Sequence, residues 1–194
     1  MYEYFNGKLA YKCPTYVVLD VNGVGYHIHI SLHTFSQIKD KEQCKLFISF
    51  QVKEDAHTLY GFAEEGERRL FHHLLSVSGI GATTGRMILS SITPAEIQAA
   101  IIQGDVKQIQ RIKGIGPKSA QRIILELQDK LKKEGPDTLI TVPHHQSTSE
   151  EALTALVMLG FNKVQAEKVV QEISKANASQ LTVEELIKVA LRRL

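Results

Sequence analysis

One short pattern occurs twice in this chain and constrains its fold more than any other feature. Val77-Ser78-Gly79-Ile80-Gly81-Ala82-Thr83-Thr84 returns thirty-five positions later as Ile112-Lys113-Gly114-Ile115-Gly116-Pro117-Lys118-Ser119. Each copy has a β-branched residue, then Gly-Ile-Gly, then a helix start that leads to an apolar pair, Ile88-Leu89 or Ile123-Ile124. A repeat at fixed period implies one supersecondary unit built twice. Two glycines around one apolar residue permit a tight turn, because Gly takes positive φ freely and admits another backbone closely. The isoleucine points inward as an anchor. The turn leaves the first N–H groups of the next helix without intrahelical partners. With the helix dipole they form a site for an anion such as phosphate. Contacts of that kind hold a nucleic-acid backbone and carry no sequence code.

The charge distribution points the same way. The net charge is only +2, but it is unevenly placed. Residues 1–63 hold six basic and six acidic residues, and residues 148–194 again six and six. Residues 64–134 hold eleven basic and eight acidic. The positive excess therefore sits on the segment that carries the repeat, as phosphate binding requires.

Residues 1–63 read as β. Tyr16–Val21 and Val24–Ile30 flank Asn22-Gly23, the strongest short hairpin signal, with a bulge expected at Gly25. Lys45–Lys53 alternates, placing Leu46, Ile48, Phe50 and Val52 on one face. Glu54-Asp55-Ala56 turns into His57–Phe62. With Tyr4–Lys12 this makes five strands, which suits a small closed barrel of the OB type. Residues 64–133 read as helices carrying the two Gly-Ile-Gly turns. Glu64, Glu65 and Glu67 stand in the first turn of the first helix, where the dipole favours anions. Thr93-Pro94-Ala95-Glu96 is a capping box, and Gly104-Asp105 ends one helix and caps the next. Residues 134–147, with Gly135-Pro136 and Pro143, read as a flexible linker. Residues 148–194 read as three short helices, with capping boxes at Thr148 and Thr182 and apolar faces that include Leu153, Leu156, Val157, Val164, Val169, Val170, Ile173 and Leu186. The expected fold class is thus multidomain α+β: an OB-like five-stranded barrel, a tandem helix-hairpin-helix domain and a three-helix, UBA-like tail.

Several chemistries find no support. No apolar run reaches the ~20 residues of a membrane span, and Met1–Phe5 lacks a secretory pattern, so cytoplasmic residence is expected. The eight histidines and two cysteines do not fall at the spacings of a metal site. There is no Walker A sequence, hence no ATPase of its own, no cofactor motif and no nucleophilic triad. The candidates for DNA contact are Gly79, Gly81, Thr84, Gly114, Gly116, Lys118 and Arg122. Lys118 opens its helix beside the presumed phosphate, and Arg122 lies four residues on, on the same face. The first copy has Thr83 where the second has Lys118. Glu54-Asp55 reads either as an ordinary turn or, in a DNA-binding chain, as paired carboxylates that repel phosphates.

These pieces together resemble the RuvA family of bacterial Holliday-junction branch-migration proteins. The resemblance spans essentially the whole chain. Its most specific stretches are Asn22–Tyr26, Glu54–Phe62 and Gly114–Ala120. It implies a non-enzymatic homotetramer, sometimes paired as an octamer, that holds a four-way junction open and square. It further implies loading of the hexameric RuvB ATPase, access for the RuvC resolvase, and a role in recombination and DNA repair. By position, Glu54 and Asp55 would form an acidic pin at the junction centre. Met158, Leu159, Gly160 and Phe161 would belong to a RuvB-contacting module. Two rivals are set against this reading. A helix-hairpin-helix DNA glycosylase would use Lys118 with Asp137, but base flipping needs a pocket domain the chain lacks. A structure-nonspecific DNA-binding adaptor would gain nothing from Glu54-Asp55.

Overall fold

Alternation of β-branched and aromatic residues builds the first part of the chain. Tyr16–Val21 (β2) and Val24–Ile30 (β3) pair antiparallel through Asn22 and Gly23, both at positive φ, 52° and 86°. That geometry matches the twist of the flanking strands. Tyr4–Cys13 (β1), Gln43–Val52 (β4) and His57–Phe62 (β5) complete a closed barrel in the order β1-β2-β3-β5-β4, with β3 and β5 parallel. The inward residues Val17, Leu19, Ile28, Ile30, Leu46 and Ile48 are buried. Each contributes about 1.5–3 kcal/mol by leaving water. This is the OB-like barrel expected, in a structure (a computed structural model) that describes residues 1–134, 148–176 and 181–194.

Three details differ from the sequence reading. Register runs unbroken through Gly25, and the irregularity lies instead in β1, between Leu9 and Tyr11. On β4 the inward alternation fades toward the tip, where Val52 is exposed. Between β3 and β4 lies an unforeseen helix, Leu32–Ile38 (α1), capped by Ser31, whose side chain accepts from the Thr34 N–H at 2.9 Å.

Helices follow: Glu65–Ser76 (α2), Ala82–Ser91 (α3), Pro94–Gln103 (α4), Val106–Gln110 (α5) and Pro117–Glu134 (α6). The capping box at Thr93 is formed, and Gly104 closes α4 in the left-handed conformation. Their apolar faces meet in one core that includes Leu70, Phe71, Leu74, Ile88, Ile101 and Leu127. Polar ties fasten these helices to the barrel. Arg68 on α2 donates to the Glu3 carbonyl at 2.9 Å and pairs with the Glu3 carboxylate, which holds that carboxyl below its ordinary pKa. Arg86 on α3 donates to the Thr15 carbonyl at 2.8 Å, and Ser90 accepts from the Leu32 N–H at 3.1 Å.

The chain divides into two compact units, Met1–Thr141 and Val142–Leu194. In the second, Thr148–Met158 (α7), Lys163–Ala176 (α8) and Val183–Leu191 (α9) enclose a small core of Ala152, Leu156, Val170, Ile173, Leu186 and Ala190. The Thr182 capping box is formed, but Thr148 already lies within α7 rather than ahead of it. Val157 and Val164, read as core, are exposed. No described helix is long and apolar enough to cross a membrane.

Candidate nucleic-acid interface

The two repeats fold alike down to single hydrogen bonds. At the end of α2 the Ile80 N–H bonds the Val77 carbonyl at 3.0 Å; after α5 the Ile115 N–H bonds the Ile112 carbonyl at 3.1 Å. Gly79 and Gly114 take φ of 89° and 86°, which an L side chain adopts only at a cost. Ile80 and Ile115 are buried as anchors, with Val77 and Ile112 beside them. The next helix then starts in the same way, the Gly85 N–H bonding Gly81 and the Ala120 N–H bonding Gly116, at 2.8 and 3.0 Å. Gly85 and Ala120 are equivalent and both buried, and at Gly85 a Cβ would lie 3.1 Å from the Phe71 ring. A small residue there lets each pair of helices close up.

The first turn is open at both glycines, and the second is open at Gly116. A Cβ at Gly79, Gly81 or Gly116 would meet nothing within 4 Å. No side chain caps α3 at its start, so its first N–H groups remain available to an anion. Lys118 is exposed in the first turn of α6, and Thr84 is half-buried in the first turn of α3. Arg122 behaves differently from Lys118. Its Nη1 donates to the Ser78 carbonyl of the other hairpin at 3.2 Å, and its Nε lies 3.8 Å from Glu126.

Glu54 and Asp55 stand exposed at the tip between β4 and β5, closed by a 2.9 Å bond from the Lys53 N–H to the Ala56 carbonyl. Along the base of that hairpin Phe50 meets Tyr2 and His57 edge-on, at 5.4 and 5.5 Å between ring centroids. On another part of the barrel, rings of Tyr11, Tyr16, His27, His29 and Tyr60 follow one another across four strands. Burial, with Arg86 nearby, holds His29 below the ordinary imidazole range, so a neutral ring faces that arginine. Sequence reasoning placed Phe50 only on one face of its strand and did not single out Arg86. Both act across strands or domains, where spacing along the chain carries no signal.

In the second unit Met158 and Leu159 are exposed, at 84% and 61%, next to exposed Val157 and Val164. Gly160, at φ 97°, turns the chain, and Phe161 packs partly into the core. The apolar surface is therefore formed by Val157, Met158, Leu159 and Val164, while Gly160 and Phe161 support it. Asp137, the partner a glycosylase would need for Lys118, lies outside the described residues, as does most of the 134–147 linker.

A closed OB-like barrel followed by twin Gly-Ile-Gly hairpin turns with matching hydrogen bonds defines a tandem helix-hairpin-helix protein. Residues 1–61 match the RuvA N terminal domain, residues 71–129 the SAM-like helix-hairpin-helix tandem, and residues 147–194 the RuvA C-terminal domain. Proteins named Holliday junction branch migration complex subunit RuvA align from end to end. That of Cytophaga hutchinsonii is 53% identical over 99% of both chains, and that of Christiangramia forsetii 52% identical over the whole of both. That of Flavobacterium psychrophilum is 48% identical, again over the whole of both. The chain belongs to the RuvA family.

Proposed function

We propose that this protein is the DNA-binding, non-catalytic subunit of a branch-migration complex. It binds four-way Holliday-junction DNA in an open square form and targets the RuvB ATPase to it, in recombination and repair. One observation carries the reading. Two hairpin turns with matching hydrogen bonds, open at Gly79, Gly81 and Gly116, lie in the basic segment of a chain colinear with relatives bearing that name. In this reading four protomers form a cytoplasmic homotetramer, one per arm, which leaves the junction accessible to the RuvC resolvase. Gly79, Gly81, Gly114 and Gly116 shape the turns, and Lys118 and the Thr84 hydroxyl supplement their N–H groups on the phosphates. Glu54 and Asp55 repel the crossing strands at the centre. Met158 and Leu159, with Val157 and Val164, offer the apolar surface that a partner ATPase would cover. The domains run 1–63, 64–133 and 148–194, with 134–147 between them.

A gel-shift titration of a four-way junction against linear duplex of equal length tests the assignment. Strong preference for the junction is expected, and a difference of a few-fold or less would sink it. The pin has its own test. Replacing both carboxylates, Glu54→Gln with Asp55→Asn, removes repulsion, so junction affinity holds or rises while branch migration changes. A large loss of affinity in that double variant would argue against a repulsive role.

A further inference from the structure

The structure ties each hairpin to the other through equivalent positions. Arg122 lies on α6, and the residue thirty-five positions earlier is Met87 on α3. Arg122 reaches the turn of the first hairpin, donating to the Ser78 carbonyl at 3.2 Å. Met87 reaches the turn of the second, where a Cβ on Gly114 would lie 3.1 Å from its Cε. Ser78 and Gly114 occupy neighbouring positions of the same repeat. The helix of each hairpin thus braces the turn of the other, once by an apolar contact and once by a hydrogen bond.

We propose that Arg122 is a positioning residue for DNA. It locks the first turn to the second helix, so that the two phosphate sites act as one clamp of fixed spacing. It works through Ser78 and not by contact with phosphate. This rests on the reading of the hairpins as backbone-binding sites. The Ser78 carbonyl adjoins Gly79, whose left-handed φ sets the direction of the turn. Holding that carbonyl holds the peptide planes that aim the following N–H groups. A clamp whose two sites are already at the right spacing binds without the cost of ordering one against the other. The Arg122 side chain is 52% exposed, and a hydrogen bond so open to water adds little to global stability. Its removal therefore loosens the spacing and leaves the fold intact.

The test uses the full-length protein and junction DNA titrated over a range of salt. The variants are Arg122→Ala, Arg122→Met, Gly81→Asp and the Gly81→Asp/Arg122→Ala pair. Gly81→Asp sets a carboxylate in open space at the first site and disables it. The lock predicts that Arg122→Ala lowers junction affinity about fivefold, the scale of coupling between groups in contact. Its salt slope matches wild type, and the loss vanishes in the Gly81→Asp background. Arg122→Met, which places the residue type of the symmetric position there, should fall between. A slope reduced by about 0.9, the value for one lost phosphate contact, would overturn the proposal. So would a loss that adds in full to that of Gly81→Asp, or unchanged affinity and slope in Arg122→Ala. Failure of the hairpin reading itself is distinguishable: the wild-type protein would then show no salt-dependent DNA binding at all.

Discussion

At Gly81 and Gly116 the backbone φ needs no glycine, and a methyl group would have room; at Gly79 the backbone is left-handed. The two kinds of position should therefore fail differently. Gly79→Ala strains the turn by about 1–2 kcal/mol, visible as a lower melting temperature. Gly81→Ala and Gly116→Ala should melt with the wild type yet bind DNA more weakly, because the added carbon occupies the space a sugar-phosphate backbone approaches. Unimpaired DNA binding in both would remove the turns from the interface. Lys118 offers a complementary measurement. As an exposed point charge at a helix start, its loss in Lys118→Ala should weaken binding to every sequence alike. The slope of log affinity against log salt should also fall by about 0.9, and sequence-selective weakening would contradict backbone recognition. These residues were legible in the sequence because the motif is contiguous and doubled. The direction taken by Arg122 was not, since spacing along α6 places it beside Lys118, whereas its acceptor lies in the preceding hairpin.

Elements show the same division between what is local and what is not. Strands, the capping boxes at Thr93 and Thr182 and the Asn22-Gly23 turn rest on neighbouring residues and could be read directly. Helix α1 could not: it spans only Leu32–Ile38 and includes Thr34 and Phe35, which favour strands as readily as helices. Its partner is Glu67. This acid stands in the first turn of α2, as its sequence position implies, but it is buried there and accepts hydrogen bonds from Ser31 and, at 2.6 Å, from Thr34. Thr34 Oγ1 in turn accepts from the Ala63 N–H at 3.1 Å, so one carboxylate joins α2 to the cap of α1 and the end of β5. Burial raises the Glu67 pKa above its ordinary value of 4.5, against the opposing effect of the two hydroxyls. An acid raised by folding is protonated in both states at low pH, and the unfolded chain ionises first as pH rises. The contribution of Glu67 is thus full below 4.5 and is lost as pH climbs from there through its folded value. Glu67→Gln cannot ionise, so its stability relative to wild type should increase across that window. Urea unfolding of both proteins between pH 4 and 8 would show it, and a difference constant with pH would refute the shift.

At the scale of the whole molecule, the hairpin turns and the exposed apolar run of the second unit stand on separate cores. The helices that carry both hairpins share one core, from Tyr60 to Leu131, while α7, α8 and α9 have their own around Leu156, Ile173 and Leu186. The second unit also carries the exposed run Val157, Met158 and Leu159. A core this small would gain stability by burying those side chains, and a surface that leaves them in water is suited to being covered by another protein. The capping box at Thr182, which lowers the Glu185 pKa through its hydrogen bonds to the cap, fixes α9 without using that surface. Removing residues 148–194 should accordingly leave four-way-junction affinity and its salt dependence unchanged. ATP-driven branch migration by the partner ATPase should be abolished. The paired replacement Met158→Ser with Leu159→Ser makes the finer test, because it alters only exposed side chains. Melting should stay at the wild-type temperature and junction binding intact, while stimulation of migration falls. If the truncated chain lost junction binding, the division of labour between the two units would be wrong. If the serine variant migrated junctions like wild type, the partner would have to dock elsewhere on α7, α8 or α9.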